Sequence, residues 1–178
     1  MKYFLTLSLF LIGVNAMSQQ RFDILWYNVP AGWESQNTSS QLTLYKKSTS
    51  SVPSQILIYP SVTPGKDADA DFNTQWKKYV KAMYRNVADS LTVDIQNDGE
   101  WTYYSTYSYA TINKSEVVIA LTAIRSKNSL LNIVQIIPNE SFLADQNSFL
   151  GGLEIEEGSA TNISHTKEFR RKKGFDEK

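Results

Sequence analysis

The chain has 178 residues, with 18 basic and 18 acidic side chains, no cysteine and one histidine. Without cysteine there is no disulfide stapling and no thiol chemistry, and with His165 alone the body of the chain cannot build an imidazole-centred catalytic relay or a histidine-based zinc site. Setting aside Lys2 and the six basic and three acidic residues of the tail 165–178 leaves eleven basic and fifteen acidic residues, a mildly acidic body that excludes a nucleic-acid binder.

Residues 1–16, MKYFLTLSLFLIGVNA, place one lysine before an apolar run and end on the small-residue subsites of Val14-Asn15-Ala16, which is the pattern of a cleaved export signal. The run falls short of the roughly 20 apolar residues that cross a bilayer, and polar Ser18-Gln19-Gln20-Arg21 follows at once. The expected product begins near Met17 and is periplasmic or secreted. It is expected to be soluble and not a lipoprotein, because no cysteine stands at the cleavage site to carry a lipid and no later segment is long and apolar enough to span a membrane. The chain then divides into a signal at 1–16, a single domain at 17–157 and a polar, basic tail at 158–178 that is disordered by composition.

Residues 22–29 (FDILWYNV) are rich in aromatic and branched side chains and stop at Pro30, so they predict a first strand. Alternation at 42–45 and the run QILIY at 55–59 predict two more short strands with tight connections. The period then changes. Phe72, Trp76, Tyr79, Val80 and Met83 form one helical stripe, with Gln75, Lys77, Lys78 and Lys81 expected to face water and Asp67, Asp69 and Asp71 at the helix start. A short strand is expected at 91–95, followed by long strands at 101–111, 116–124 and 130–137. The run EVVIALTAI at 116–124 is apolar on both faces, which places it centrally with something packed on each side. A second helix is expected at 142–150, capped by Asn139 or Ser141 and ended by Gly151-Gly152, with an extended segment at 153–157. The fold class is α+β: an antiparallel sheet of about six strands with helices packed on its faces.

The order of these elements, with V-P-A-G-W at 29–33, F-x-x-x-W-x-x-Y-V at 72–80 and a final helix of pattern F-L-x-x-x-x-x-F-L, resembles the PsbP/DcrB-like group of small exported α/β sandwich proteins. The resemblance covers most of residues 21–155. It implies an antiparallel sheet sandwiched by helices and, for most members, a non-enzymatic role. Its motifs hold a fold and carry no active-site residue onto this chain.

Familiar chemistry is hard to assemble from what remains. Gly65-Lys66 lacks the flanking residues of a phosphate loop. Asp67, Asp69 and Asp71 open like a calcium loop, but the sixth and twelfth positions are Phe72 and Lys78 instead of glycine and glutamate. No catalytic, metal or cofactor site is expected. The rival reading is a hydrolase or metal-dependent enzyme using carboxylates alone, with candidates Glu100, Glu116, Glu154 and Glu156.

The remaining candidate site is aromatic. In WTYYSTYSY at 101–109, alternation puts Trp101, Tyr103, Tyr107 and Tyr109 on one strand face and Tyr104 on the other. Either helix 72–83 packs on that face, the commoner fate of strand tyrosines, or the rings line a pocket for a sugar or a small amphipathic ligand. The expected function is an exported binding or accessory protein whose partner is a protein or such a ligand. A further possibility is that the basic run FRRKK at 169–173 engages an anionic surface.

Overall fold

The structure, a computed structural model, describes residues 19–49, 51–88, 92–156 and, as backbone, 160–162. The expected signal at 1–16, His165 and the basic run at 169–173 lie outside the described residues.

Residues 22–29 do not form the single strand that their composition predicts. Asp23 adopts φ 54°, a conformation that Asp tolerates better than branched residues, and folds the chain into a hairpin of β1 (Gln20–Phe22) and β2 (Leu25–Tyr27). Its carboxylate accepts from the Ser61 amide at 2.6 Å, which ties this hairpin to the main sheet. The next strand, β3 (Glu34–Asn37), is absent from the sequence-based expectation, because all four residues are polar and exposed and leave no alternation to read. β4 (Leu42–Lys46) follows its predicted alternation. β5 (Ser54–Val62) runs on through Pro60, where a register shift between Tyr59 and Val62 accommodates the missing amide donor.

Helix α1 (Ala68–Trp76) starts as its sequence predicts: Asp67 accepts from the Asp69 and Ala70 amides at 2.9 and 3.1 Å. It then continues as a π-helical turn over Lys77–Lys81, with Ala82 N–H donating to Lys77 O at 3.0 Å. The wider turn rotates the residues beyond it by roughly a quarter turn relative to a continuous α-helix. Phe72, Trp76, Tyr79 and Val80 stay buried, whereas Met83 leaves the stripe and is 66% exposed. Gln75, expected in water, is buried instead, and its Oε1 accepts from Asn132 Nδ2 at 3.4 Å.

β6 (Asp94–Asp98), β7 (Trp101–Ile112), β8 (Ser115–Arg125) and β9 (Leu130–Ile137) complete the main sheet. A 3₁₀ turn at Glu140–Phe142, with Asn139 Oδ1 accepting from the Ser141 amide, leads into α2 (Leu143–Gly151). β10 (Glu154–Glu156) and β11 (Ala160–Asn162) follow, so three residues of the expected tail pair in a sheet beyond the boundary drawn at 157.

The fold is α+β, with seven strands in the main sheet where about six were expected. That sheet runs β3-β4-β5-β9-β8-β7-β6 with every neighbour antiparallel, and a smaller sheet runs β1-β2-β10-β11. One face of the main sheet packs Leu57, Leu121 and Val134 against Phe72, Trp76 and Val80 of the α1 segment. The other packs Ile56, Ile58 and Leu131 against Phe149 and Leu150 of α2 and against Leu25 and Ile155 of the small sheet. Both faces are therefore covered, which is why the central strands are apolar on both sides and all eight residues of β9 are buried. Each such aliphatic side chain stabilises the fold by about 1.5–3 kcal/mol relative to exposure.

Candidate functional site

The aromatic run lies on β7, and its alternation holds: Trp101 and Tyr103 join the core on the α2 side, while Tyr104 packs with the α1 core. Phe72 of α1 and Tyr104 stand 6.1 Å apart, ring to ring. The expectation that helix 72–83 covers Trp101, Tyr103, Tyr107 and Tyr109 is thus corrected, since α1 covers the opposite face. Strand alternation says which side chains share a face; which element then covers that face depends on the path of the crossover between β5 and β6.

The four aromatic residues have different surroundings. Trp101 is a core residue, 1% exposed. Tyr103 is half-buried against the same core, and burial, with Asp98 adding to it, pushes its phenol up to about 12. Tyr107 and Tyr109 are 45% and 42% exposed. The reason lies in strand lengths. β6 pairs with β7 only from Asp98 opposite Trp101 to Asp94 opposite Ser105, so the rest of β7 outruns its neighbour and forms the sheet margin. Residues 85–88 and Thr92 bind that margin irregularly: Thr106 Oγ1 donates to Thr92 O at 2.9 Å, and the Ala88 amide donates to Ser108 Oγ at 2.9 Å.

On the inner side of this margin Tyr107 stands opposite Ala120 and Tyr109 opposite Val118, so each ring rises beside a smaller side chain. Next to Tyr109 lies a notch of about 30 Å³ lined by Tyr109, Glu116, Val117, Val118, Ile137 and Pro138. That is about the room of one water molecule and roughly tenfold below the smallest ligand pockets. At this notch the tyrosine end offers an open surface and not an enclosed ligand pocket, which was the second of the two readings. Burial raises the Tyr109 phenol, and Tyr107 and Glu116 add to the effect.

Sequence reasoning did not place Glu116 beside Tyr109. The signal was present in the hairpin: Asn113 and Lys114 adopt φ 49° and 67°, a two-residue turn of the I′ kind. Such a turn pairs Ile112 with Ser115, and hence Thr111 with Glu116 and Tyr109 with Val118.

The other carboxylates are dispersed or engaged. Glu100 precedes β7 and Glu116 pairs near its far end, so roughly 33 Å of strand separates them. Glu156 accepts from Trp26 Nε1 at 3.0 Å and pairs with Arg21 at 3.5 Å, with Glu154 on the same short strand. Asp71 accepts from the Gly65 amide at 3.0 and 2.8 Å and pairs with Arg125 at 3.3 Å. Trp33 wedges its turn onto the core, and its Nε1 donates to Asp145 at 3.3 Å while Lys46 Nζ donates to the same oxygen at 2.8 Å. The Lys46 hydrogen bond, opposed by burial and aided by Trp33, lowers the Asp145 carboxyl below the usual carboxylate range. Among the described residues no group of three or more His, Cys, Asp or Glu is placed to hold a metal ion, and no helix is long and apolar enough to cross a membrane.

No family profile and no curated protein matches the sequence. In fold the chain is similar to a crystal structure from Bacteroides thetaiotaomicron VPI-5482, with a TM-score of 0.51 and 13% identity over 76% of this chain and 46% of that one. This chain thus spans less than half the length of that protein. It is also similar to the Saccharomyces cerevisiae Ran-binding protein Mog1p, with a TM-score of 0.46 and 13% identity over 75% of this chain and 84% of that one. Likeness at this level of identity concerns the α/β sandwich-like fold alone.

Proposed function

We propose that this chain is an exported, non-enzymatic binding protein of the bacterial periplasm or cell envelope, of the PsbP/DcrB-like kind, that engages its partner through the tyrosine margin of the main sheet. The observation that carries the reading is the 45% and 42% exposure of Tyr107 and Tyr109 on a strand whose first aromatic residues are buried or half-buried. Tyrosine offers flat apolar area and a hydroxyl at low entropic cost, which suits recognition of a surface. Rings standing beside Ala120 and Val118 make a shallow step. Such a step accepts the flat face of a sugar ring or one side of an amphipathic peptide, and it does not enclose a ligand.

The test is a double substitution, Tyr107→Ala with Tyr109→Ala. Both side chains are substantially exposed, so the melting temperature should stay near that of the parent chain. Any oligosaccharide or amphipathic peptide that binds the parent in calorimetry should bind the variant at least about tenfold more weakly. A ligand that binds both equally well does not use this margin, and the proposal then fails.

A further inference from the structure

The charges of the α1 face are segregated along the sheet. Between Asp71 and Asp89 there is no acidic residue, and Lys77, Lys78, Lys81 and Arg85 fall within that stretch. Their positions are fixed at both ends. Asp71 pairs with Arg125, which lies opposite Thr102 at the start of β7, and Arg85 bridges Thr111 near its end. The acidic end of the segment carries Asp67, Asp69 and Asp71 at the helix start; the four cations, all exposed, follow it, from Lys77 roughly 9 Å beyond Asp71 along the helix to Arg85 roughly 30 Å away along the strand. Opposite charges at the two ends of α1 also complement the helix dipole, which accounts for charge alone. It does not account for Met83, which the π-helical turn swings out of the core and leaves 66% exposed between Lys81 and Arg85 in the chain.

We infer that this end of the α1 segment is a docking surface for an anionic lipid bilayer, formed by Lys77, Lys78, Lys81 and Arg85 together with Met83. Three of the four cations are lysines, point charges on flexible stems, which suit a diffuse anionic layer better than the bidentate recognition of individual carboxylates. The exposed thioether of Met83 on the same segment supplies an apolar side chain that can enter the headgroup boundary while the lysines remain at its polar level. Each cation close to such a surface strengthens binding by about fivefold. The surface lies on the face of β7 opposite Tyr107 and Tyr109, so it stands or falls independently of the tyrosine margin.

Sedimentation with vesicles tests the inference. The parent chain should sediment at low salt with vesicles of equimolar phosphatidylglycerol and phosphatidylcholine, less so at high salt, and not with phosphatidylcholine alone. The triple reversal K77E/K81E/R85E, folded by circular dichroism, should lower that affinity at least about tenfold, and M83S by a smaller factor. Truncation after His165 should leave most of the binding in place. The inference is overturned if the triple variant binds unchanged, if the truncation abolishes binding, or if both vesicle types bind equally, since residues 1–16 then account for it. It is overturned in favour of an acidic protein partner if the parent binds soluble polyglutamate and neither vesicle.

Discussion

Gln146 is fully buried, and its single amide ties three elements together. Nε2 donates to Ser54 Oγ on β5 at 2.8 Å and to the Ile136 carbonyl on β9 at 3.1 Å, while Oε1 accepts from Gln135 Nε2 at 2.8 Å. A buried polar group adds little net stability when satisfied, but removing its partner costs about 1–3 kcal/mol for each group left behind. Gln146→Leu keeps the volume and strands the Gln135 amide and the Ser54 hydroxyl, so urea unfolding should reveal a loss of about 2–4 kcal/mol. Combining it with Gln135→Leu should cost less than the two single losses added together, by at least about 1 kcal/mol, because both halves of the amide pair are then gone. Strict additivity would mean that the pair does not couple. Sequence periodicity could not have placed these residues. Gln75, Gln135 and Gln146 all fit a solvent-facing position in a local pattern, yet each is buried because it finds its partner on another element, and that pairing is a property of the tertiary fold.

At the level of elements, α1 shows what local pattern carries and where it stops. Its start is legible in the sequence because a cap is local chemistry: Asp67 meets amides two and three residues on. Asp67→Ala leaves those donors without a side-chain acceptor, and the expected loss is about 1 kcal/mol, a fall of roughly 2–4 °C in melting temperature for a chain of this size. Asp67→Asn should retain most of the stability, since asparagine caps as well. Equal melting temperatures for the parent and the alanine variant would show that the cap is dispensable. The end of the same helix is not legible. On a uniform 3.6-residue period Met83 sits at the centre of the apolar stripe, and one π-helical turn displaces it, a change in hydrogen-bond register that no composition announces. The hairpin at Asp23 and the polar strand β3 escape for related reasons: one depends on a single left-handed residue, and the other has no apolar face to alternate. By contrast β9 is legible to the residue, because its ends are apolar and polar turn residues at 126–129 and Pro138-Asn139 bound them on either side.

At the scale of the whole molecule, the main sheet is covered on both faces and polar at both edges. β3 presents Glu34–Asn37, every residue exposed, and β6 presents Asp94–Asp98. An outer strand offers unpaired amides and carbonyls to any other strand, and charge is the common means of keeping such an edge from pairing with a copy of itself. β6 needs that protection more than β3. Ile95 is 51% exposed there, and Asp94 and Asp98 stand on either side of it in sequence. The sheet's candidate binding margin begins where β6 ends, so the acids on β6 also decide whether the neighbouring tyrosines face solvent or a second sheet. Asp94→Val with Asp98→Val removes both charges and raises β-propensity, leaving Val-Ile-Gln-Asn-Val on an open edge. The paired variant should elute from size exclusion as dimers or larger species whose share rises with concentration, while the parent elutes at one volume across the same range. Tyr107 and Tyr109 should then become less accessible to a tyrosine-modifying reagent in the associated fraction than in the dilute one. A variant that elutes as the parent does at every concentration would mean that twist and strand length, rather than Asp94 and Asp98, keep this edge single.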